Sequence, residues 1–345
     1  MFGEFPLKRL WKVSLGKNGE FESNAIANSV ITIDFSVNED ISNLKNRDQL
    51  IALMDKLHPE AKSKTRANFA AQINQFKNEM SVGDLVVCPF STSKTISVGE
   101  VISEYKPDEE NLKPSRKVKW LKEELPRDAF KQDLLYSFGA IMTVCEVKRN
   151  NALARVENVI STGVDKGDGE KLELTNFHSE LDPEENFDLQ QIARDQIEKK
   201  IASNFSGHDF TRLVDAILIA EGYQTYVSPP GPDKGIDILA GSGPLGLESP
   251  RIVVQVKSGS IVVDQPTVQG LSGSIKDQNA DFGLIVSWGG FTAPVRSRMS
   301  DLHFRIRFWD RTKLVDNLLE VYDKLPEDIR LELPLKRIWM SAENE

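Results

Sequence analysis

The chain has 345 residues, of which 40% are hydrophobic and 28% are charged, and its net charge is −9. This length exceeds the usual size of a single domain and predicts two domains with separate cores. No apolar run is long enough for a bilayer span or a signal-peptide core. Two cysteines are too few for a disulfide framework or a cysteine-ligated zinc site. We therefore expect a cytoplasmic protein with no membrane partner.

Short apolar runs in residues 1–160 predict a curled β-sheet accompanied by two helices. The predicted strands are 10–15, 85–89, 96–104, 118–121 and 142–148, and the predicted helices are 43–54 and 65–79. Cys88 and Cys145 lie within the apolar strand runs, so we expect both to be buried thiols.

Three segments of this first half carry a resemblance. They are the opening WKVSLGKNGE, the stretch GDLVVCPFSTSKTISVGEVISEY, and the KW and LLYSFGA region. Together they resemble the barrel core of PUA-like and EVE-type domains. The resemblance implies a β-barrel-like domain over residues 1–160 that recognises DNA or a modified base.

A domain that recognises an extruded base needs an aromatic side chain for stacking and polar groups for the base edge. Trp11 and Trp120 are the candidate stacking residues. Lys17 and Asn18 lie in a glycine-flanked turn and are the candidate phosphate contacts. The alternative for the tryptophans is a place in the core, and the alternative for the turn is a plain hairpin.

Residues 161–188 are strongly acidic. They hold nine acidic side chains and two lysines, a net charge of −7, so the rest of the chain carries only −2. Three glycines and little apolar periodicity predict a solvated linker between domains 1–160 and 189–345. The acidic total therefore does not exclude a nucleic-acid partner.

Residues 189–345 predict a mixed α/β domain, whose segments from 206 to 287 follow the order helix, three strands, helix, strand. The predicted helices are 189–203, 206–222, 266–278 and 314–322, and strands are predicted at 223–227, around 237, around 255–257, and at 282–287 and 304–309. Ser206 and Asp209 have the spacing of a capping box at the second of these helices.

Asp237, Gln255 and Lys257 form the most informative group in the chain. Their spacing fits two adjacent strands, and strand alternation puts Gln255 and Lys257 on one face and Val254 and Val256 on the other. A carboxylate, an amide oxygen and a lysine that converge in this way can hold Mg²⁺ and a water beside a phosphate. The alternative is a turn aspartate, a glutamine bonded to a loop and a surface lysine.

Four segments follow one another in a recognisable order: HDFTRLVDAILIAEGY, GPDKGIDILA, VVQVKSG and GLIVSWGGF. Over roughly residues 206–310 they resemble the Mrr-type branch of the PD-(D/E)XK restriction nuclease superfamily, with QVK in place of the more usual acidic-X-Lys. The resemblance implies a restriction-endonuclease-like mixed sheet flanked by helices. The family often has Glu after the Phe of the first helix. Here that position is Thr211, so Asp209 is either its replacement or only a helix cap.

The resemblance also implies roles for individual residues. Asp237 is the metal-bound carboxylate, and the Gln255 side-chain oxygen and the Val256 backbone carbonyl are the neutral ligands of Mg²⁺, for which Mn²⁺ could substitute. Lys257 orients the attacking water or offsets negative charge in the transition state. A single carboxylate predicts weak Mg²⁺ affinity.

The sequence therefore predicts a two-domain, Mg²⁺-dependent DNA endonuclease of a restriction or anti-phage defence system, type IV-like and directed at modified or foreign DNA. The alternatives are a catalytically weak nucleic-acid sensor and a specificity subunit of a larger assembly. Cleavage of single strands or RNA, a homodimer that cuts both strands, and partner proteins from a defence operon stay open. No Walker motif is present, so any NTPase would be a separate protein.

Overall fold

The computed structural model describes residues 8–167, 188–229 and 235–338. The chain divides into two compact units, Met1–Asp195 and Gln196–Glu345. Within the described ranges, no helix has both the length and the apolar character needed to cross a membrane.

The first unit is built on a seven-stranded sheet. Its strands are β1 (Leu10–Val13), β2 (Val30–Thr32), β3 (Leu85–Pro89), β4 (Thr95–Val101), β5 (Lys106–Pro107), β6 (Pro114–Pro126) and β7 (Val144–Glu146). Their order is β2-β6-β4-β3-β1-β7, with β5 on β6, and only the β1–β3 pair is parallel. Strands β2 and β7 are the two ends of this strand order. The predicted PUA-like barrel is not confirmed.

Helices cover both faces of this sheet. They are α1 (Glu22–Asn28), α2 (Arg47–Leu57), α3 (Ser63–Asn74), which continues as a π-helical turn over Gln75–Glu79, α4 (Gln132–Phe138) and α5 (Ala152–Thr162). Along β3, Val86 and Cys88 face the core with α2 and α3, whereas Leu85 and Val87 face the core with α4 and α5. The continuous apolar run of β3 is explained by this burial on both faces.

Both cysteines are buried, as the apolar strand runs predicted. Burial raises the pKa of the Cys88 thiol well above its usual range. Helix α2 begins later than predicted, because the Asn46 side chain caps it by accepting a hydrogen bond from the Gln49 N–H at 3.0 Å.

The predicted linker starts too early. Helix α5 extends to Thr162, and Asp165 is fully buried and ion-paired with Arg155. Residues 161–167 therefore belong to the first unit, because their acidic side chain is neutralised inside it. The remainder of the predicted linker, 168–187, lies outside the described residues.

The second unit contains a five-stranded mixed sheet. Its strands are β8 (Gln224–Val227), β9 (Ile238–Ser242), β10 (Glu248–Lys257), β11 (Phe282–Ser287) and β12 (Ile306–Trp309). Their order is β12-β11-β10-β9-β8. The pairs β8–β9 and β9–β10 are antiparallel, whereas β10–β11 and β11–β12 are parallel.

Helices also flank this second sheet on both sides. They are α6 (Leu189–Asn204), which spans the division between the units, α7 (His208–Ala220), α8 (Gln265–Asp277), α9 (Ala293–Arg296), α10 (Arg311–Val321) and α11 (Glu327–Glu332). Val254 packs in the core that contains α7 and α10, and Val253 packs in the core that contains α8 and α9. This arrangement confirms the predicted restriction-endonuclease-like class of a mixed sheet between helices.

The division between the units falls inside α6, not at its start. Asp195 is buried and accepts a hydrogen bond from Arg127 Nη2 at 2.8 Å, which ties the first half of α6 to the first unit. Helix periodicity alone predicted that all of 189–203 would lead into the second domain, and it could not reveal this buried ion pair.

Candidate functional site

Asp237 and Gln255 lie side by side across the β9–β10 hairpin. Ile238 at the start of β9 is paired with Val254 of β10, so the preceding Asp237 falls opposite Gln255. The strand spacing deduced from the sequence therefore places the carboxylate and the amide next to each other at one end of the sheet.

The side chains of β10 alternate between the two faces of the sheet, as predicted. Val254 and Val256 are buried in the core with α7, so Gln255 and Lys257 project from the opposite face of the sheet. Lys257 is paired with Ser287 of β11, and its carbonyl accepts a hydrogen bond from the Trp288 N–H at 2.9 Å. The lysine is therefore held at the point where the regular strand ends.

The carboxylate of Asp237 reaches the backbone of β10. Its Oδ2 accepts a hydrogen bond from the Val256 N–H at 2.7 Å. This contact fixes the carboxylate beside the residue that separates Gln255 from Lys257. The three residues predicted as metal ligands, Asp237, Gln255 and Val256, are thus contiguous.

Gly235 positions Gln255, and it received no role from the sequence. The Gln255 side chain is 8% exposed, and a Cβ atom on Gly235 would lie 3.0 Å from its Nε2. Gly235 also has a φ of +78°, a conformation that side chains with a Cβ rarely adopt. A glycine two residues before the candidate carboxylate was the signal that could have indicated a close approach.

The site carries little negative charge. Among the described residues, no group of three or more His, Cys, Asp or Glu side chains is arranged to hold a metal ion. The donors at hand are the Asp237 carboxylate, the Gln255 amide oxygen and the Val256 carbonyl. Oxygen donors of this kind fit Mg²⁺, which keeps several waters and needs only one or two carboxylates when a phosphate completes the shell.

Asp209 lies in the first turn of α7 and is 58% exposed at its side chain. Its carboxylate is 3.6 Å from Arg212, which also pairs with Asp328 and Glu332 of α11. This network explains its position without a metal. The predicted capping box is wrong, because Gly207, not Ser206, is the residue at the cap and no side chain caps the helix there.

The four candidates in the first unit have different surroundings. Trp11 is fully buried, and its Nε1 donates a hydrogen bond to Asp84 Oδ2 at 2.8 Å. The prediction that a base stacks on Trp11 is wrong, because the core covers the ring. Lys17 and Asn18 are exposed in their turn, where the Asn18 N–H is bonded to Glu20 at 3.0 Å.

Trp120 is only half-buried, unlike Trp11. Its ring lies over Gly99, where a Cβ atom would be 3.0 Å from Cε3, and its Nε1 donates to the Ala25 carbonyl at 3.0 Å. Its position on the sheet is therefore fixed, while the residue as a whole is only partly buried.

Residues 202–318 match the family model Mrr_cat, whose description is restriction endonuclease. The second unit contains an Mrr-type restriction endonuclease domain. The matched range includes the whole Asp237, Gln255, Val256 and Lys257 group of this Mrr domain. Residues 11–147 match DUF8426, a domain of unknown function, so the expected PUA-like or EVE-type character of the first unit is not shown.

Two solved structures resemble the chain weakly. The DNA modification-dependent restriction endonuclease AspBHI has 13% identity and a TM-score of 0.32, with 78% of this chain and 73% of that chain covered. The MspJI restriction endonuclease in complex with a 27-mer oligonucleotide has 9% identity and a TM-score of 0.28, with 75% and 65% covered. Both the sequence identities and the TM-scores are too low to assign a substrate. No curated protein sequence matches the chain.

Proposed function

We propose that the chain is a metal-dependent deoxyribonuclease of a restriction system, and that its Mrr domain hydrolyses phosphodiester bonds. The observation that carries the proposal is the register that sets Asp237 beside Gln255, with its carboxylate bonded to the backbone of Val256. Lys257 follows on the same face as Gln255. A DNA nuclease needs these groups together, and a structural hairpin does not.

Asp237, Gln255 and the Val256 carbonyl would hold the metal, with Mg²⁺ proposed and Mn²⁺ as a substitute. When bound, such an ion supplies Lewis-acid polarisation of the phosphate and makes a coordinated water more acidic. Because one carboxylate provides less charge than the usual pair, we expect a weak site that is completed by the substrate phosphate.

Lys257 would act on the attacking water and on the phosphate. Its ammonium group can orient the attacking water and offset the negative charge that develops on the phosphoryl oxygens. Gly235 would leave room for the Gln255 amide, since a Cβ atom there would lie only 3.0 Å from Nε2.

The direct test is cleavage by the purified full chain. Supercoiled plasmid, plain or carrying 5-methylcytosine, would be incubated with Mg²⁺, with Mn²⁺ or with EDTA. We expect nicking that requires the metal and is faster on the modified plasmid. If neither plasmid is nicked with either ion, the alternatives of a nucleic-acid sensor or a specificity subunit are favoured.

Gln255→Glu adds a charged ligand and is expected to lower the Mg²⁺ concentration needed for half-maximal cleavage, with activity kept or raised. Gln255→Ala removes the ligand and should raise that concentration. The measurement is a Mg²⁺ titration of the nicking rate for both variants. An unchanged metal dependence in both would show that Gln255 is no ligand.

Gly235→Ala is expected to lower the nicking rate by about tenfold or more, because small misplacement of a catalytic constellation is costly. The new methyl group would push the Gln255 amide from its place. Gly222→Ala is the matched control, because Gly222 also has a positive φ, +104°, but has no atom within 4 Å of its virtual Cβ. Equal losses in both variants would mean that only backbone strain matters.

The first unit is proposed to select the DNA, with Trp120 stacking on a modified or extruded base and Lys17 and Asn18 contacting phosphate. Trp120→Ala should weaken binding to modified duplex by about 5- to 150-fold, the usual value of one base–aromatic stack, and leave plain duplex unchanged. Binding would be measured in EDTA to prevent cleavage. Tyr226→Ala, which removes a 60% exposed aromatic from the second unit, is the control. Equal loss on both duplexes would contradict base reading.

We further propose a cytoplasmic protein of anti-phage defence that acts as a homodimer, because one Asp237–Lys257 site cuts one strand at a time. Light scattering of the protein–DNA complex, together with the ratio of nicked to linear plasmid, tests this. A monomeric complex that only nicks would contradict the dimer and leave the nuclease proposal intact.

A further inference from the structure

The second unit has a cavity of about 360 Å³ that the Asp237–Lys257 site does not use. It meets β10 at Pro250 and Ile252, near the start of the strand, whereas the candidate site lies at the other end. Lys257 is five positions after Ile252, about 17 Å along a strand. The cavity is therefore distinct from the candidate nuclease site.

The floor of the cavity is apolar and aromatic, and its rim exposes a large ring. Trp309 and Tyr223 line it, together with Ile252. Phe304 also lines it and is 89% exposed, with the His303 ring 5.2 Å away in an edge-to-face arrangement. A phenylalanine this exposed offers a face for a planar ligand to stack on.

Two arginines accompany these rings. Arg305 and Arg307 line the cavity and are exposed. Arg307 Nη1 is 2.7 Å from the His303 ring, and in the described parts of the chain neither guanidinium is paired with a carboxylate. Glu221 is the one carboxylate among the lining residues, so the cavity carries net positive charge.

We propose that this cavity binds a nucleotide. The base stacks on Phe304 above the Trp309 and Tyr223 floor, and the phosphate lies against Arg305 and Arg307. A stacking surface beside guanidinium groups that no described carboxylate neutralises is complementary to an aromatic ring that bears a phosphate. The volume lies within the range of about 300–1,000 Å³ typical of small-molecule sites. The source is either a free nucleotide or an unpaired nucleotide of a DNA strand.

This site is independent of the proposed cleavage. The cavity meets β10 at Ile252, about 17 Å along the strand from Lys257. A nucleotide bound there would not be the one whose phosphate is cut, since neighbouring nucleotides of a strand rise by about 3.4 Å. The site would hold either an effector or a strand segment several nucleotides away from the cut.

The test uses the full chain in EDTA with three probes: dAMP and inorganic phosphate by calorimetry, and a fluorescein-labelled ten-nucleotide single strand by anisotropy. The variants are Phe304→Ala and the double change Arg305→Ala with Arg307→Ala. All three residues are exposed, so folding should be unaffected, and melting temperatures would verify this. Leu245→Ala and Arg330→Ala, at exposed positions away from the cavity, are the matched controls.

We expect Phe304→Ala to weaken binding of dAMP, or of the single strand, by about 5- to 150-fold. The double arginine change should weaken it further, and the controls should bind like the wild type. Loss on both probes identifies a site open to free nucleotides, and loss on the single strand alone identifies a DNA-strand site. If no probe binds, if no variant differs from its control, or if phosphate binds as tightly as dAMP with no effect of Phe304→Ala, the proposal is overturned.

Discussion

Replacing Asp237 with asparagine or Lys257 with methionine is expected to lower DNA cleavage by about 10²–10³-fold, the usual cost of removing one electrostatic stabiliser. Asparagine keeps an oxygen that can accept the Val256 N–H, so this variant removes the charge and preserves the hydrogen bond of 2.7 Å. Methionine keeps most of the length of the lysine side chain. The measurement is the initial rate of plasmid nicking at saturating Mg²⁺.

Lys276→Met and Asp277→Asn are the matched controls, because both residues are exposed on α8 within the same unit. Their nicking rates should stay within about twofold of the wild-type rate, since surface substitutions away from special features change stability little. DNA affinity in EDTA should be nearly the same for all four variants. Wild-type rates in Asp237→Asn or Lys257→Met would refute the assignment of the site.

Replacing Arg155 with methionine is expected to lower the free energy of unfolding by about 3–5 kcal/mol, the cost of leaving a buried charge without its partner. Arg155 is buried, and it donates to Asp133 at 2.9 Å and to Asp165 at 3.0 Å. Removing the guanidinium leaves both carboxylates without their cationic partner. Urea unfolding with linear extrapolation measures the loss.

Lys148→Met is the control for this variant. The Lys148 side chain is 74% exposed and pairs with Glu146 at 3.1 Å, and such a surface pair contributes at most about 1 kcal/mol. If Arg155→Met cost no more than Lys148→Met, the buried cluster would have no special role in stability.

The effect of Arg155→Met should depend on pH. Burial alone would raise the pKa of Asp165, but the hydrogen bonds from Arg155 and from the Lys131 and Gly167 N–H groups outweigh it and hold that pKa below its ordinary value of 3.8. A carboxylate with a lowered pKa stabilises the fold above the unfolded-state pKa and loses this contribution as the pH falls through the folded-state pKa. The difference between wild type and variant should therefore be full at pH 7 and shrink below about pH 4.

The candidate site could be predicted from the sequence because its geometry is local. One hairpin brings Asp237 to Gln255, and strand alternation alone sets the faces of Gln255 and Lys257. The same local rules located β3 and β11 at their observed bounds, 85–89 and 282–287. Both strands are buried on each face of a sheet, so their apolar runs have little ambiguity.

Side-chain environment was less predictable where it depends on distant residues. Trp11 and Trp120 are the same residue type on two strands of one sheet, yet Trp11 is enclosed by the core, with its Nε1 bonded to Asp84. Those partners are separated by 73 residues. No pattern within either strand carries that information, so the choice between a stacking residue and a core residue could not be made in advance.

The sequence by itself determined the mixed sheet of the Mrr domain and the placement of Asp237 next to Gln255, because strand periodicity and hairpin spacing act over short distances. Only the tertiary structure decided that Asp165 and Asp195 belong to the first unit, that Gly235 leaves room for Gln255, and that Phe304 stands exposed beside Arg305. Each of these depends on which distant side chains meet when the sheets and helices pack, and burial and pairing are fixed only at that stage.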